Sequence, residues 1–123
     1  MPRKLLCRLL SNLGCRCTQA ENGVECLEAV HRNLRRHSLP PFDFILMDFE
    51  MPRMTGPEAA SALRGEGVFT PIIGVTGNVL PEDQQHFLLS GANVVLRKPL
   101  SLPLLEKALV DIITRKDEVS YIM

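Results

Sequence analysis

Apolar residues along the chain follow two alternating patterns, one with helical spacing and one in short runs. Helical spacing predicts five helices, which begin near Leu5, Asn22, Gly56, Pro81 and Ser101. The stretches between them predict four strands: Cys15 to Ala20, Phe42 to Asp48, Ile72 to Thr76 and Asn93 to Leu96. Strands that alternate with helices through short connections indicate an α/β fold, a doubly wound parallel sheet with right-handed crossovers.

The second of these strands is nearly continuous in apolar residues, as expected for a strand buried on both faces, and Asp48 ends it. Pro52 and Gly56 then break the chain into a loop. Thr55 with Glu58 three residues later has the pattern of a capping box that opens a helix. Asp48 is therefore predicted at the carboxyl end of a central strand, where open α/β sheets bind their ligands. Taken alone, it is better explained as a turn residue that follows a strand.

Two further polar residues end neighbouring strands. Thr76 closes Gly-Val-Thr-Gly-Asn, and Lys98 follows the last strand in Arg-Lys-Pro. Because parallel strands point the same way, Asp48, Thr76 and Lys98 are expected at one edge of the sheet. Such a group suits phosphoryl transfer: a carboxylate is a nucleophile, an ammonium offsets phosphoryl charge, and a hydroxyl can bond the product. The competing interpretations are a β-branched strand residue for Thr76 and a solvated loop lysine for Lys98.

The loop after the central strand resembles the phospho-acceptor loop of response-regulator receiver domains. The match is the pattern Asp-x-x-Met-Pro-x-Met-x-Gly-x-Glu, formed here by Asp48, Met51, Pro52, Met54, Gly56 and Glu58. With Thr76 and Lys98 the resemblance covers almost the whole chain. It implies the flavodoxin-like receiver fold with strand order 2-1-3-4-5, and a phosphorelay function. It also implies that Asp48 accepts a phosphoryl group from a histidine kinase or a phosphotransfer protein.

The chain departs from the receiver pattern in two places. Receivers begin with a strand that ends in acidic residues, and these hold Mg²⁺ together with the acceptor aspartate and a backbone carbonyl. Here Met1 already lies at the start of the first helix. We therefore expect residues 1–123 to be an N-terminally incomplete receiver domain with four strands. Its Mg²⁺ site would keep only the Asp48 carboxylate and the Glu50 backbone carbonyl. In addition, Val95 replaces the aromatic residue that often moves on phosphorylation.

Two other functions remain open at this stage. One is a receiver-like interaction module that is not phosphorylated. It would bind an output partner through the helix from Pro81, the strand of Asn93 to Leu96 and the helix from Ser101. The missing acidic pair favours this alternative. The other is an aspartyl-phosphate phosphatase of the haloacid-dehalogenase type. The chain argues against that enzyme, because Glu50 stands where a second aspartate is usual and a cap domain has no room.

Composition and charge indicate which classes of partner and which cellular compartment to expect. The 123 residues suit one domain, and the 14 basic and 14 acidic residues balance, so no charge excess favours nucleic acid or a membrane surface. No apolar run is long enough to span a bilayer, and no signal peptide is evident, which predicts a cytoplasmic or nuclear location. The four cysteines are then expected to be reduced thiols. Cys15 and Cys17 should share one face of their strand, which leaves a metal-binding pair as an alternative.

Overall fold

The computed structural model describes residues 3–35, 41–77, 80–112 and 119–122. Helices and strands alternate along these residues. The helices are α1 (Arg3–Asn12), α2 (Gly23–Arg35), α3 (Gly56–Gly65), α4 (Pro81–Ser90) and α5 (Leu102–Ile112). The strands are β1 (Cys15–Thr18), β2 (Phe44–Asp48), β3 (Ile72–Thr76), β4 (Val94–Arg97) and β5 (Val119–Ile122). The five predicted helices and the four predicted strands are all present.

Two of the predicted helix starts, those of α2 and α3, are capped by local side-chain hydrogen bonds. The Asn22 side-chain oxygen accepts from the backbone N–H of Glu25 at 2.9 Å, which caps α2. At α3, the Thr55 hydroxyl accepts from the Glu58 N–H and the Glu58 carboxylate accepts from the Thr55 N–H, so the capping box is complete. Hydrogen bonds to the Glu58 carboxylate from the Thr55 backbone N–H and from the Thr55 side chain lower the pKa of the Glu58 carboxyl below its usual value. The box fixes the direction in which the chain leaves the loop after β2.

The sheet has five parallel strands in the order β1-β5-β2-β3-β4, so the expectation of four strands is wrong. The flavodoxin-like receiver arrangement is confirmed, and the central position between β1 and β2 is held by β5. Thr18 pairs with Ile122 on one side of β5, and Ile45 pairs with Ile122 on the other. Because α5 carries the chain back from the carboxyl end of β4, a strand that follows it can run parallel to the others.

The two faces of the sheet are covered by different helices. Alternate residues of β2 point to opposite faces, Phe44 and Leu46 to one and Ile45 and Met47 to the other. The first face packs against α1 and α5 through Leu6, Leu10 and Leu105. The second packs against α2, α3 and α4 and includes Ile122, whose side chain is 0% exposed. Because Ile122 is buried, β5 contributes to the hydrophobic core. No helix in the described part of the chain is long and apolar enough to cross a membrane.

The cysteines differ from the expectation of four reduced thiols. Cys7 in α1 and Cys17 in β1 form a disulfide with Cα atoms 6.1 Å apart, whereas Cys15 and Cys26 are free. Cys15 and Cys17 do point to one face, as predicted, and that face is the one that packs against α1. The helix therefore brings Cys7 to Cys17. While its sulfur is joined to Cys7, Cys17 has no thiolate with which to form a metal-binding pair with Cys15.

Candidate functional site

The carboxyl ends of β2, β3 and β4 lie side by side and bring the three predicted site residues to one edge. Asp48 ends β2 and is paired with Val75, while Thr76 ends β3 and is paired with Arg97. Lys98 follows β4 directly, and its backbone N–H donates to the Thr76 carbonyl at 2.8 Å. That bond continues the ladder by one residue and fixes Lys98 beside Thr76, just before the cis peptide bond to Pro99.

Asp48 and Lys98 form an ion pair at this edge. The Lys98 Nζ lies 3.3 Å from Asp48 Oδ1, and the two side chains are 49% and 46% exposed. An ion pair this open to water contributes only about 0–1 kcal/mol to stability. The pair therefore adds little to the stability of the fold. Its relevance is chemical, because it exposes to solvent a carboxylate with an ammonium already beside it.

Thr76 differs from these two residues in its burial. Its side chain is only 1% exposed, one residue beyond the Val75 that pairs with Asp48. α4 begins shortly after this strand end, at Pro81.

The loop after Asp48 is held close to the sheet by backbone hydrogen bonds. The Phe49 N–H donates to the Val75 carbonyl at 2.8 Å, and the Gly56 N–H donates to the Phe49 carbonyl at 2.8 Å. Gly56 is required here, since a Cβ at that position would lie 2.3 Å from the Asp48 carbonyl oxygen. The Phe49 ring also packs edge-on against Phe87, with ring centroids 5.6 Å apart. These contacts fix the backbone on which the Asp48 side chain stands.

A cavity of about 230 Å³ opens beside Asp48, between the carboxyl ends of β1 and β2. Its inner wall is apolar and includes Leu6 and Leu46, and its polar lining consists of Glu21, Asn22, Asp48, Glu50 and Lys98. A small phosphorylated group could enter this cavity and reach Asp48. The sequence predicted Asn22 only as a helix cap and did not indicate Glu21 at all. Neither residue type carries a local pattern that would reveal which strand end it faces.

The same cavity allows a test of the implied Mg²⁺ site. Asp48 and Glu50, the two residues expected to supply ligands, both line it. Mg²⁺ requires near-octahedral oxygen coordination and is usually held by one or two carboxylates with waters. However, the described residues contain no group of three or more His, Cys, Asp or Glu side chains placed to hold a metal ion. Asp48 Oδ1 is moreover engaged by Lys98. The structure thus brings the two predicted ligands, Asp48 and Glu50, to one cavity without a larger cluster of ligand side chains among the described residues.

Comparison with known proteins identifies the family. The response regulator receiver domain model matches residues 1–110. The sensor histidine kinase RcsC of Salmonella typhimurium is 36% identical over 107 residues, which is 87% of this chain and 10% of RcsC. The chain thus spans about a tenth of that relative's length.

Solved structures agree with this assignment. The receiver domain of the sensor histidine kinase PA1611 from Pseudomonas aeruginosa superposes with a TM-score of 0.71 at 30% identity, covering 89% of this chain and 86% of that one. That domain was solved with a magnesium ion coordinated in its active site cleft. The chemotaxis response regulator CheY4 of Vibrio cholerae gives a TM-score of 0.76 at 31% identity, covering 90% of this chain and 88% of that one. The chain belongs to the response regulator receiver domain family and is a module of phosphorelay signalling.

Proposed function

We propose that Asp48 is the residue of this receiver that accepts the phosphoryl group. The observation that carries the proposal is the Asp48–Lys98 pair, 3.3 Å apart at the edge of an open cavity. A carboxylate beside a fixed ammonium has both the nucleophile and the counter-charge that phosphoryl transfer needs. Their half-exposed side chains leave the site accessible to a donor protein.

The donor we propose is a histidine kinase or a histidine phosphotransfer protein. An Asp48 carboxylate oxygen attacks the phosphorus of a phosphohistidine, forming an acyl phosphate while the phosphorus–nitrogen bond breaks. The electron pair of that bond remains on the imidazole, which takes up a proton from solvent. The Lys98 ammonium offsets the negative charge on the transferred group. In this role the chain accepts a phosphoryl group and is not itself an enzyme, and it works in the cytoplasm or the nucleus.

Thr76 is proposed as the residue that senses the new phosphate. The proposal is supported by the burial of Thr76 at the end of β3, directly after the Val75 that pairs with Asp48. Phosphorylation would give the end of β2 a charge of roughly −1.5 to −2, taking a serine phosphate as a guide. Because Val95 on β4 is not aromatic, no ring is available there to change position. We expect the signal to pass from Thr76 to α4. The face formed by α4, β4 and α5 is then the proposed site for an output partner, and Leu88, Leu89 and Leu104 are exposed on its helices.

A second candidate function is partner binding without phosphorylation. Among the described residues, no group of three or more His, Cys, Asp or Glu side chains is placed to hold a metal ion, which favours this candidate because phosphoryl uptake in the family uses Mg²⁺. The two candidates differ in one property. An unphosphorylated module would bind its partner equally well with Asp48 or with an uncharged amide at position 48, whereas a phosphorelay receiver would lose its signal.

The experiment is phosphotransfer from a histidine phosphotransfer protein that carries radiolabelled phosphate. We expect label to move to the wild-type chain and to Asp111→Asn, an exposed aspartate of α5 that serves as a matched control. We expect none on Asp48→Asn. Transfer to Asp48→Asn at the wild-type rate would remove the assignment. A wild-type chain that binds the donor but takes no label would favour the second candidate.

A further inference from the structure

The disulfide joins two elements that border the proposed acceptor cavity. Cys7 follows Leu6, which lines the cavity, and Cys17 lies in β1, whose carboxyl end leads to Glu21 and Asn22 of the same lining. The Cα atoms of the two cysteines are 6.1 Å apart, within the range that a disulfide spans without movement of the backbone. Both residues are half-buried, so small thiol reagents can reach them from solvent.

The other two cysteines are poor alternatives for this chemistry. Cys26 is buried among residues of the opposite face of the sheet, and burial raises its thiol pKa to about 11. Cys15 shares the face of Cys17, but burial and the nearby Asp43 carboxylate raise its thiol pKa. Since the thiolate is the reactive form, both free cysteines are expected to react slowly. The geometry of α1 and β1 thus selects one pair out of four cysteines.

We propose that Cys7 and Cys17 form a reversible redox site that controls how firmly α1 is held on the sheet. The oxidant we name is a low-molecular-weight disulfide of the glutathione type. The thiolate of one cysteine attacks it and forms a mixed disulfide, with loss of one glutathione thiolate. The second cysteine then displaces the other glutathione, so that two protein thiols are oxidised while one disulfide is reduced to two thiols. Disulfides in reducing compartments are typically transient and redox-sensing, which fits a signalling module.

The closed disulfide adds a covalent tie to a helix that is otherwise held mainly by two buried side chains. Leu6 and Leu10 anchor α1 in the core, whereas Lys4, Leu5, Arg8, Ser11 and Asn12 are exposed. Cross-linking residues ten positions apart restricts the unfolded chain and stabilises the folded one. Oxidation should therefore raise the melting temperature by roughly 5–15 °C, from the usual stabilisation by such a loop in a domain of this size. This effect needs no phosphate and is independent of the role proposed for Asp48.

The test equilibrates the full chain in glutathione buffers from fully reduced to fully oxidised. The disulfide is mapped by peptide mass spectrometry and the melting temperature is recorded for each buffer. We expect a Cys7–Cys17 link in the oxidised samples only, and a lower melting temperature after reduction. A Cys15→Ser, Cys26→Ala control should keep the redox-dependent shift, and Cys7→Ser, Cys17→Ser should lose it. A different cysteine pairing, no link in any buffer, or an equal shift in the Cys7→Ser, Cys17→Ser variant would overturn the proposal. The mapping on the wild-type chain decides the pairing even if a variant fails to fold.

Discussion

The effect of Lys98 on phosphoryl uptake can be measured separately from its effect on the stability of the fold. Its ammonium lies 3.3 Å from the Asp48 carboxylate, yet both side chains are about half exposed. We therefore expect Lys98→Gln to change the free energy of unfolding by less than about 1 kcal/mol. The same substitution should slow phosphoryl uptake by roughly 10²-fold, the usual effect of removing one group that stabilises developing charge. Uptake kinetics and urea unfolding measure the two effects, with the exposed Lys107→Gln as the control. Equal uptake by both variants would contradict this role for Lys98.

Gly56 is a residue whose substitution should disturb the site through the backbone. An added Cβ would lie 2.3 Å from the Asp48 carbonyl oxygen and 2.7 Å from the Phe87 ring, and neither can easily move away. We expect Gly56→Ala to destabilise the fold by about 2 kcal/mol or more, within the range for overpacking. Gly65→Ala is a matched control at the other end of α3, because a Cβ there meets no atom within 4 Å. The control should be neutral or slightly stabilising. Similar urea midpoints for the two variants would refute the close approach.

Arg64 is an example of a residue that the sequence did not single out. Its guanidinium donates to the carbonyls of Val68, Thr70 and Gly91 and to the Asn93 side chain, with distances from 2.8 to 3.2 Å. Partial burial lowers the pKa of Arg64 below its usual value. Arg64→Met would leave several acceptors unpaired, and we expect a loss of about 2–4 kcal/mol in unfolding free energy. The exposed Arg32→Met should cost less than about 0.5 kcal/mol. Equal effects of the two substitutions would show that this network does not hold the α3–β3 connection.

At the scale of elements, β5 explains how the sheet closes at its centre. The strand pairs with β1 along four residues and with β2 at Phe44 and Ile45. Its Ile122 side chain is fully buried between these strands and α2. β5 therefore fills the centre of the sheet as far as Ile45. The cavity beside Asp48 lies beyond the point where the pairing of β5 with β2 ends.

This placement makes a prediction about Ile122. Ile122→Ala should destabilise the fold by about 2–5 kcal/mol, as for other large-to-small changes in a core. Val110→Ala, in α5 and 77% exposed, should have little effect. Chemical denaturation of both variants measures the difference. If Ile122→Ala were as stable as Val110→Ala, β5 would not hold its central place in the sheet.

Whether an element could be predicted depends on whether its signal lies in consecutive residues or in contacts between distant parts of the chain. β3 is found at the residues predicted, Ile72–Thr76, because a buried apolar run carries its signal in consecutive residues. The capping box of Thr55 and Glu58 is likewise local and is also confirmed. β5 was missed because its four residues have no long apolar run, and only the return of α5 to the amino end of the sheet gives them a place. The Cys7–Cys17 bond was missed for a related reason, since it depends on how α1 lies on β1.

On the scale of the whole molecule, the fold and the site differ in how far they could be predicted. The alternation of strands and helices determines a parallel sheet, and a parallel sheet brings Asp48, Thr76 and Lys98 to one edge. Position alone does not determine the chemistry, because metal binding depends on how many carboxylates converge. The convergence of strand ends was thus predictable from order along the chain. The position of Glu21 and Asn22 in the cavity lining was not predictable, since it depends on the three-dimensional course of the loop after β1.

The measurement that tests the account most directly is chemical trapping of an acyl phosphate on the intact chain. The protein is incubated with acetyl phosphate in excess Mg²⁺ and reduced with borohydride, which converts a phosphorylated aspartate to homoserine. Peptide mass spectrometry then locates the modified residue. We predict homoserine at position 48 and at no other aspartate, with no conversion in a sample that lacks the phosphodonor. Conversion at another aspartate, or an unmodified Asp48 in a chain that remains folded, would contradict the account.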